Sequence, residues 1–263
     1  MAELRSGYLG LELRNPVIAS AGPLSQSVED IKALADAGVG AVTMFSLFEE
    51  QLLRDAERLV ELEEQFADIT PEAISFFPEV PRAEADAVTN YLRLVEKGAQ
   101  AIDVPLIASL NGASRGGWVH SARSLQDAGA AALELNIYYV PGDLTLGGEE
   151  VEQRHLDILR AVKSEVSIPV AVKLSPYFSS VGAMCQRLDR TGADGLVLFN
   201  RFLQPDIDLD RLEVVSGVTL SSPVDARLPR TWIAVLHDHV EASLAASSGV
   251  DQPEDVVKYL LAG

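Results

Sequence analysis

The sequence predicts an α/β fold, a TIM (β/α)8 barrel that lacks its last strand–helix unit, from three observations. Short apolar runs alternate with amphipathic stretches along the whole chain. Most of these runs are continuous segments of Val, Ile, Leu and Ala, which is typical of parallel strands covered on both faces. Three amphipathic stretches stop at a glycine (Gly38, Gly129 and Gly192), and an apolar run follows each of them. This repetition indicates a chain of β/α units, so we expect residues 1–263 to form one domain.

The apolar runs place seven strands along the chain. They are predicted over residues 16–20, 41–46, 106–111, 131–137, 170–175, 195–200 and 242–249. Between them, apolar residues recur at helical spacing with charged residues on the opposite side. Helices are predicted there over residues 28–37, 48–60, 84–97, 119–128, 149–165, 181–191, 228–236 and 253–261. The segment 68–82 has no clear periodicity, and we expect it to cross the mouth of the domain.

The predicted strands are one short of the eight that close a barrel. The chain ends with Leu260-Leu261-Ala262-Gly263, a helix-stop pattern that precedes a strand elsewhere in the sequence. We therefore expect either that the sequence is truncated there or that the barrel is open. An open parallel barrel would expose unpaired edge strands, at a cost in stability.

Composition excludes several classes of protein. Hydrophobic residues make up 48% of the chain, enough for a large core, so an intrinsically disordered chain is excluded. The net charge of -18 disfavours nucleic acid and anionic lipid as partners. A single cysteine excludes a disulfide framework and a thiolate zinc site. No apolar run is long enough to span a bilayer and no secretion signal is recognisable, so we expect a cytoplasmic protein.

Polar side chains lie where the predicted strands end, which is where parallel α/β folds carry their chemistry. The polar residues at these ends are Ser20, Ser109, Asn111, Asn136, Lys173 and Asn200. The carboxamide of asparagine both donates and accepts hydrogen bonds, which suits the edge of a heteroaromatic ring with alternating N–H and C=O groups. The alternative for the asparagines is a turn residue at a strand end.

Lys173 lies inside the apolar segment 169–174, where burying an unpaired ammonium group would cost much free energy. It therefore requires a carboxylate partner or an electron-rich atom of a ligand. Two interpretations stay open. One is a structural ion pair with Glu134, one strand away, and the other is a role in ligand binding or catalysis.

Five motifs carry a resemblance to a known family in their order and spacing: Asn15-Pro16, Ala19-Ser20-Ala21-Gly22, Glu134-Leu135-Asn136, Val172-Lys173-Leu174-Ser175-Pro176-Tyr177-Phe178 and Phe199-Asn200. They resemble the dihydroorotate dehydrogenase family, whose members are FMN-containing β/α barrels of pyrimidine synthesis. The stretch 198–208 resembles a side branch usually described only as dihydroorotate dehydrogenase-like. The resemblance extends over essentially the whole chain.

The resemblance implies an FMN cofactor and assigns residues to it. Ser20, Ala21 and Gly22 would approach the isoalloxazine ring. Lys173 would lie near N1 and O2 of the ring, where reduction places negative charge. Ser248 and Gly249 would hold the phosphate group through backbone N–H groups. The other residues assigned to the flavin are Ser46, Ser109, Asn111, Asn136 and Asn200.

Two positions depart from the family motifs. The family sequence Glu-Leu-Asn-x-Ser-Cys-Pro-Asn corresponds here to residues 134–141, with Tyr138 and Tyr139 in place of the Ser and Cys. Tyrosine has a pKa near 10 and is a poor base at neutral pH, so the catalytic residue is unknown, with Tyr138 and Tyr139 as candidates. Phe45 takes the place of the lysine in the family's Thr-Lys-Ser motif on the second strand.

Three functions remain open from the sequence. The first is an FMN oxidoreductase acting on a CH–CH group of dihydroorotate or a similar small molecule. The second is a Schiff-base, aldolase-like lyase that uses Lys173 as its nucleophile. The third is a flavin-binding or pseudoenzyme barrel without dihydroorotate activity. We expect a small-molecule substrate, no nucleic acid or membrane as partner, and a homodimer as a possible assembly.

No metal site is predicted. Asp206, Asp208 and Asp210 alternate as in a calcium loop, but Arg211 occupies the position that requires glycine. Histidines 237 and 239 are expected at a solvated helix end, and His120 and His155 at the surface. We expect Cys185 to be a small core residue.

Overall fold

The computed structural model describes residues 3–48, 87–111, 115–137, 142–201, 205–216 and 220–263. The helix predicted over residues 48–60 and the segment 68–82 thus lie outside the described residues, apart from residue 48. Within the described residues, no helix combines the length and the apolar character that crossing a membrane would need.

Seven parallel strands form the central sheet of the described residues, and their order across the sheet is the same as their order along the chain. Every predicted strand is confirmed, most of them with shorter bounds. The strands are β3 (Ile18–Ala19), β4 (Ala41–Phe48), β5 (Leu106–Asn111), β6 (Ala132–Asn136), β7 (Val170–Leu174), β8 (Gly195–Leu198) and β11 (Ser243–Ala246). Continuous burial explains their apolar sequences, because β5, β6, β7 and β8 are buried at every position.

Helices alternate with these strands, as the sequence predicts. They are α1 (Val28–Asp36), α2 (Ala87–Ala101), α3 (Arg115–Asp127), α4 (Gly148–Lys163), α5 (Val181–Thr191), α6 (Arg227–Leu236) and α7 (Pro253–Ala262). The glycines that follow α1, α3 and α5 have φ angles of 100°, 98° and 100°, which confirms their predicted role in ending helices. Helix α3 begins earlier than predicted, because Gly116 and Gly117 are weak helix formers and conceal its first turn in the sequence.

Two antiparallel hairpins were not predicted. The first joins β1 (Ser6–Tyr8) to β2 (Leu11–Leu13), and the second joins β9 (Pro205–Asp208) to β10 (Glu213–Ser216). Tyr8, Leu9 and Leu13 of the first hairpin pack on apolar residues of the central strands, including Ile107 and Ala171, in one interior cluster. The backbone N–H group of Leu9 donates to Oγ of Ser243 in β11 over 3.0 Å. The first hairpin therefore closes the amino-terminal end of the sheet.

The two edge strands of the sheet face a common space. Val17 and Ile18, at β3, and residues 243–246, in β11, line one cavity of about 700 Å³. Among the described residues, no strand pairs with the outer side of β3 or of β11. The described residues form the predicted TIM-like α/β barrel, with seven strands and an opening between β3 and β11. That residues 1–263 form a single domain stays a prediction.

Cys185 confirms its predicted place in the core and provides a probe of unfolding. It is fully buried in α5, and burial raises the pKa of its thiol to about 12. Because it is the single cysteine of the chain, we expect the native protein to resist a thiol reagent at pH 8 and the denatured chain to react fully. The absorbance of the product that the thiol reagent releases measures how much of Cys185 has reacted. Rapid labelling of the native protein would show that α5 packs loosely.

Candidate active site

Three of the residues predicted at strand ends lie side by side across the sheet. Asn111 of β5 pairs in register with Asn136 of β6, which pairs with Lys173 of β7. All three side chains are buried. They occupy alternate positions with Ile107, Ala132 and Ala171, which belong to the interior cluster, so they face the same side of the sheet. The prediction that these side chains share one end of the sheet is confirmed, while their contact with a ligand stays a prediction.

Lys173 forms a buried ion pair with Glu134. The distance from Nζ to Oε1 is 3.2 Å, and both side chains are 7% exposed. The ion pair is the first of the two interpretations left open by the sequence, and it gives the buried ammonium group a carboxylate partner. Removing one partner of such a pair leaves the other charge buried without compensation. Loss of Lys173 alone should therefore destabilise the barrel, whether or not this residue also contacts a ligand.

The charge of Glu134 also contributes to the raised pKa of two buried tyrosines, Tyr8 and Tyr91. Burial, reinforced by the charge of Glu134, raises the pKa of Tyr8 well above its usual value. Burial likewise raises the pKa of Tyr91, with a smaller contribution from Glu134, against a lowering effect of its hydrogen bond to Ser109. The hydroxyl of Tyr91 donates to the carbonyl oxygens of Phe45 and Ser109 at 2.7 and 3.2 Å. Both tyrosines are thus neutral structural groups and do not supply a base.

Further polar contacts join the strand ends. Nδ2 of Asn200 donates to Oδ1 of Asn136 over 2.8 Å, and the hydroxyls of Ser46 and Ser109 are 2.8 Å apart. The second contact depends on a register shift between Thr43 and Ser46 in β4, which brings Ser46 opposite Ser109. The residues predicted at the ends of β4, β5, β6, β7 and β8 therefore form one polar rim.

The loop after β3 is attached to β4 through Ser25, a residue that the sequence analysis missed. Its buried hydroxyl accepts a hydrogen bond from the backbone N–H group of Phe45 at 2.7 Å and donates to the carbonyl oxygen of Gly22 at 3.1 Å. This contact fixes the Ser20, Ala21 and Gly22 segment relative to the rim. Ser20 itself lines the cavity of about 700 Å³.

Ser248 and Gly249, after β11, have backbone conformations that favour glycine. Their φ angles are 87° and 71°, and a Cβ atom on Gly249 would lie 2.5 Å from the backbone nitrogen of Ala226. The N–H group of Gly249 donates to Oγ of Ser221 over 3.0 Å, and the hydroxyl of Tyr259 donates to the carbonyl oxygen of Ser248 over 2.9 Å. The segment therefore lies tightly against the start of α6. Ser221 and Tyr259, which support it, carry no motif in the sequence that could have identified them.

Apart from Ala21 and Gly22, which line neither of the two cavities, the predicted site residues within the described part of the chain fall into two groups. Ser20, Ser248 and Gly249 line the larger cavity, and Asn200 and Ser248 line a second cavity of about 280 Å³. The second group is the buried part of the rim, which lines neither of these two cavities, and its members are Ser46, Ser109, Asn111, Asn136 and Lys173. Ser248 lines both cavities. Tyr138 and Tyr139, the candidates for a catalytic base, lie outside the described residues.

The prediction that His155 lies at the surface is wrong. Its ring is buried, and Nδ1 lies 2.8 Å from the carbonyl oxygen of Val151. The centroids of the His155 and Phe178 rings are 5.2 Å apart in a T-shaped arrangement. Burial lowers the pKa of His155, against hydrogen bonds to the carbonyls of Val151 and Ile137. Because Ile137 directly follows Asn136, His155 ties α4 to the end of β6. The sequence did contain a signal that His155 is buried, because this residue lies on the apolar stripe of its helix. Histidines 237 and 239 are exposed, as predicted, while the side chain of His120 lies outside what is described.

His155 should make stability depend on pH. Its pKa in the folded protein is lowered, so the unfolded chain takes up a proton first as the pH falls below about 6.5. We expect the free energy of unfolding to decrease there, by at most about 1.4 kcal/mol for each pH unit. Urea unfolding of the protein and of His155→Gln between pH 8 and 5 measures the difference in slope. The control His239→Gln replaces an exposed histidine and should keep the original slope. Equal slopes for all three proteins would contradict the assignment to His155.

Comparison with known proteins places this architecture in a family. A family model described as dihydroorotate dehydrogenase matches residues 3–263. The catalytic subunit of dihydroorotate dehydrogenase B (NAD(+)) from Shouchella clausii is 25% identical over 287 residues, covering 100% of this chain and 85% of the relative. The corresponding subunit from Thermoplasma acidophilum is 26% identical, with the same coverage. A putative dihydroorotate dehydrogenase A (fumarate) from Aeropyrum pernix is 30% identical over 65% of this chain and 57% of its own. Because the family model matches nearly the whole length of the chain, the chain belongs to the dihydroorotate dehydrogenase family.

Proposed function

We propose that the protein is an FMN-dependent oxidoreductase that acts on a CH–CH group of dihydroorotate or of a similar small cyclic molecule. One observation carries the proposal: a buried cation, Lys173, aligned with Asn136 and Asn111 at the carboxyl ends of three neighbouring strands. Family membership supports an oxidoreductase. The FMN cofactor and the CH–CH substrate are what we propose in addition.

The donor set of the rim fits a flavin ring. When bound, FMN would supply the chemistry by accepting a hydride from the substrate. Lys173 would place a fixed positive charge beside the pyrimidine end of the ring, and the low dielectric of the buried rim strengthens its effect. Asn111 and Asn136 would meet the alternating donors and acceptors of the polar edge.

The phosphate end of the cofactor is proposed to lie at Ser248 and Gly249. The close approach of Gly249 to Ala226 brings this segment against the start of α6, whose first N–H groups favour an anion. The absence of a Cβ atom at Gly249 makes this approach possible. Ser221 contributes a hydroxyl that already accepts from the N–H group of Gly249.

The lyase alternative is less favoured by the contacts of Lys173. A Schiff-base lysine must present an uncharged amine to a carbonyl carbon. Here the amine is held 3.2 Å from a buried carboxylate oxygen of Glu134, so an attack on a carbonyl carbon would have to break a buried ion pair. The flavin-binding barrel without dihydroorotate activity remains the second candidate. The observation in its favour is that the sequence places Tyr138 and Tyr139 where the family has its base.

Titration of the purified chain with FMN tests the first step of the proposal. We expect quenching of flavin fluorescence with one site for each chain, and bleaching of the visible flavin absorbance when the substrate is added without oxygen. Bleaching by dihydroorotate would support the full proposal. If FMN binds but dihydroorotate does not bleach it, two candidates remain: an oxidoreductase with another substrate, and a flavin-binding barrel without enzymatic activity. No FMN binding, together with borohydride trapping of a carbonyl compound on Lys173, would favour the lyase.

A further inference from the structure

One extra residue in β4 forms a bulge next to the rim. Thr43 pairs with Ile107 and Ser46 pairs with Ser109, so three steps along β4 correspond to two steps along β5. Bulges of this kind re-aim side chains and are frequent next to active sites. The bulge therefore decides which side chains of β4 face the interior of the barrel beyond Thr43.

The bulge turns two consecutive side chains of β4 to the helix side of the sheet. Met44 is fully buried in the apolar core between the sheet and the helices, and Phe45 packs against the same core. Ser46 returns to the interior, because it lies opposite Ser109, which alternates with Ile107 of the interior cluster. With regular alternation, the ring of Phe45 would face the interior and Ser46 would face the helices. The bulge thus puts a hydroxyl at the rim in place of a phenyl ring.

Two buried residues outside β4 hold the peptide groups of Phe45 in this position. Its N–H group donates to Oγ of Ser25, and its carbonyl oxygen accepts from the hydroxyl of Tyr91 in α2, each over 2.7 Å. The rings of Tyr91 and Phe45 also meet in a T-shaped arrangement, with their centroids 5.0 Å apart. Because a bulge takes its extra residue out of the hydrogen-bonded ladder, these side chains supply the bonds that the sheet does not.

We propose that Tyr91 and Ser25 are positioning residues for the flavin, which fix the bulge so that Ser46 faces the polar edge of the ring. This inference rests on the proposed function, because FMN is the ligand that the rim would hold. The hydroxyls of Ser46 and Ser109 are 2.8 Å apart. One of them donates to the other, and the remaining proton can go to an acceptor of the flavin. A phenyl ring in the same place would remove this donor.

The contacts of the bulge extend to the segments on either side of it. Oγ of Ser25, which accepts from the bulge, donates to the carbonyl oxygen of Gly22 over 3.1 Å. The hydroxyl of Tyr91 also donates to the carbonyl oxygen of Ser109 over 3.2 Å. One chain of hydrogen bonds therefore positions three proposed flavin contacts, Gly22, Ser46 and Ser109. A shift of about 1 Å in such a set is enough to weaken binding, so the chain should control flavin affinity.

Tyr91→Phe tests the proposal, because it removes the hydroxyl and keeps the ring that packs against Phe45. We expect FMN and riboflavin to lose affinity equally, by about tenfold, since the lost contact serves the ring and not the phosphate. The reduction potential of bound FMN should fall, because a donor to the reduced ring is misplaced. Ser25→Ala should change the same quantities in the same direction. Fluorescence and redox titrations of the purified full chain measure them.

Tyr259→Phe is the matched control, a loss of one tyrosine hydroxyl at the opposite end of the proposed site. This hydroxyl supports Ser248, where the phosphate is proposed to bind. Tyr259→Phe should therefore weaken the binding of FMN but not of riboflavin, and it should leave the reduction potential unchanged. Protection of Cys185 from a thiol reagent, measured on every variant, confirms that each chain is folded. If one of the two positioning variants labels rapidly, the other decides.

Two results would overturn the proposal while the wild-type chain still binds FMN. They are a reduction potential that neither Tyr91→Phe nor Ser25→Ala changes, and a loss of affinity for FMN that riboflavin does not share. In either case the proposed function stands and the role of the bulge is wrong. If the wild-type chain binds neither FMN nor riboflavin, the proposed function fails and this inference fails with it.

Discussion

Lys173→Met is expected to lower the free energy of unfolding by about 3–5 kcal/mol, because it leaves the carboxylate of Glu134 buried without its partner. The same change should weaken FMN binding at least about tenfold, or lower the reduction potential of bound FMN, since the proposed site loses its cation. Urea unfolding measures the first effect. Flavin fluorescence titration and a redox titration measure the second.

A double variant separates the structural role of Lys173 from its proposed role at the flavin. Lys173→Met combined with Glu134→Leu removes both buried charges and should regain most of the lost stability, because apolar replacement of a buried pair is often neutral. It should not regain FMN affinity or potential. If the double variant recovers both stability and flavin binding, Lys173 acts only through its ion pair, and the proposed role is wrong.

A matched lysine gives the control for this experiment. Lys163 also forms an ion pair, at 2.6 Å to Asp194, but their side chains are 30% and 36% exposed. Lys163→Met should therefore cost only about 1 kcal/mol or less, and it should leave FMN binding unchanged. A loss of stability at Lys163 as large as that at Lys173 would show that burial does not decide the cost.

Gly249→Ala is expected to destabilise the protein by about 2–4 kcal/mol, from a strained backbone and from crowding against α6. Its φ angle is 71°, and the new Cβ atom would lie 2.5 Å from the backbone nitrogen of Ala226. Because this segment is the proposed phosphate site, FMN binding should weaken as well. Thermal unfolding and fluorescence titration measure the two effects.

Gly10→Ala is the matched control for strain alone. Its φ angle is 73°, and a Cβ atom there meets nothing within 4 Å. We expect Gly10→Ala to cost about 1 kcal/mol and to leave FMN affinity unchanged. Equal losses of stability at the two glycines would mean that contact with Ala226 contributes nothing.

The sequence predicted the strands well because burial on both faces leaves a direct record in composition. Continuous apolar runs marked β5 through β8, and the glycines after α1, α3 and α5 marked where helices end. The polar rim followed from one physical rule, that the carboxyl ends of parallel strands meet at one end of the sheet. The ion pair of Lys173 with Glu134 was anticipated as one of two interpretations, because an unpaired buried ammonium is so costly.

What the sequence did not reveal depends on tertiary distances or on short elements. The alternation of Asp206, Asp208 and Asp210 was tested only against a calcium loop, although a period of two is equally typical of a strand. His155 was misplaced because its residue type was given more weight than its position on an apolar stripe. The two cavities, and the support of Ser248 by Tyr259, arise from segments far apart in the chain and leave no local pattern.

The first hairpin has a consequence for the order in which the protein can fold. The backbone N–H group of Leu9 donates to Oγ of Ser243, so the contact that closes the amino-terminal end of the sheet joins residues separated by 234 positions. Contacts of such long range form late, because most of the chain must already be synthesised and arranged before the two residues can meet. During synthesis on the ribosome, the first hairpin should therefore stay undocked until β11 has been made. Tyr8, Leu9 and Leu13 would be exposed to chaperones during that time.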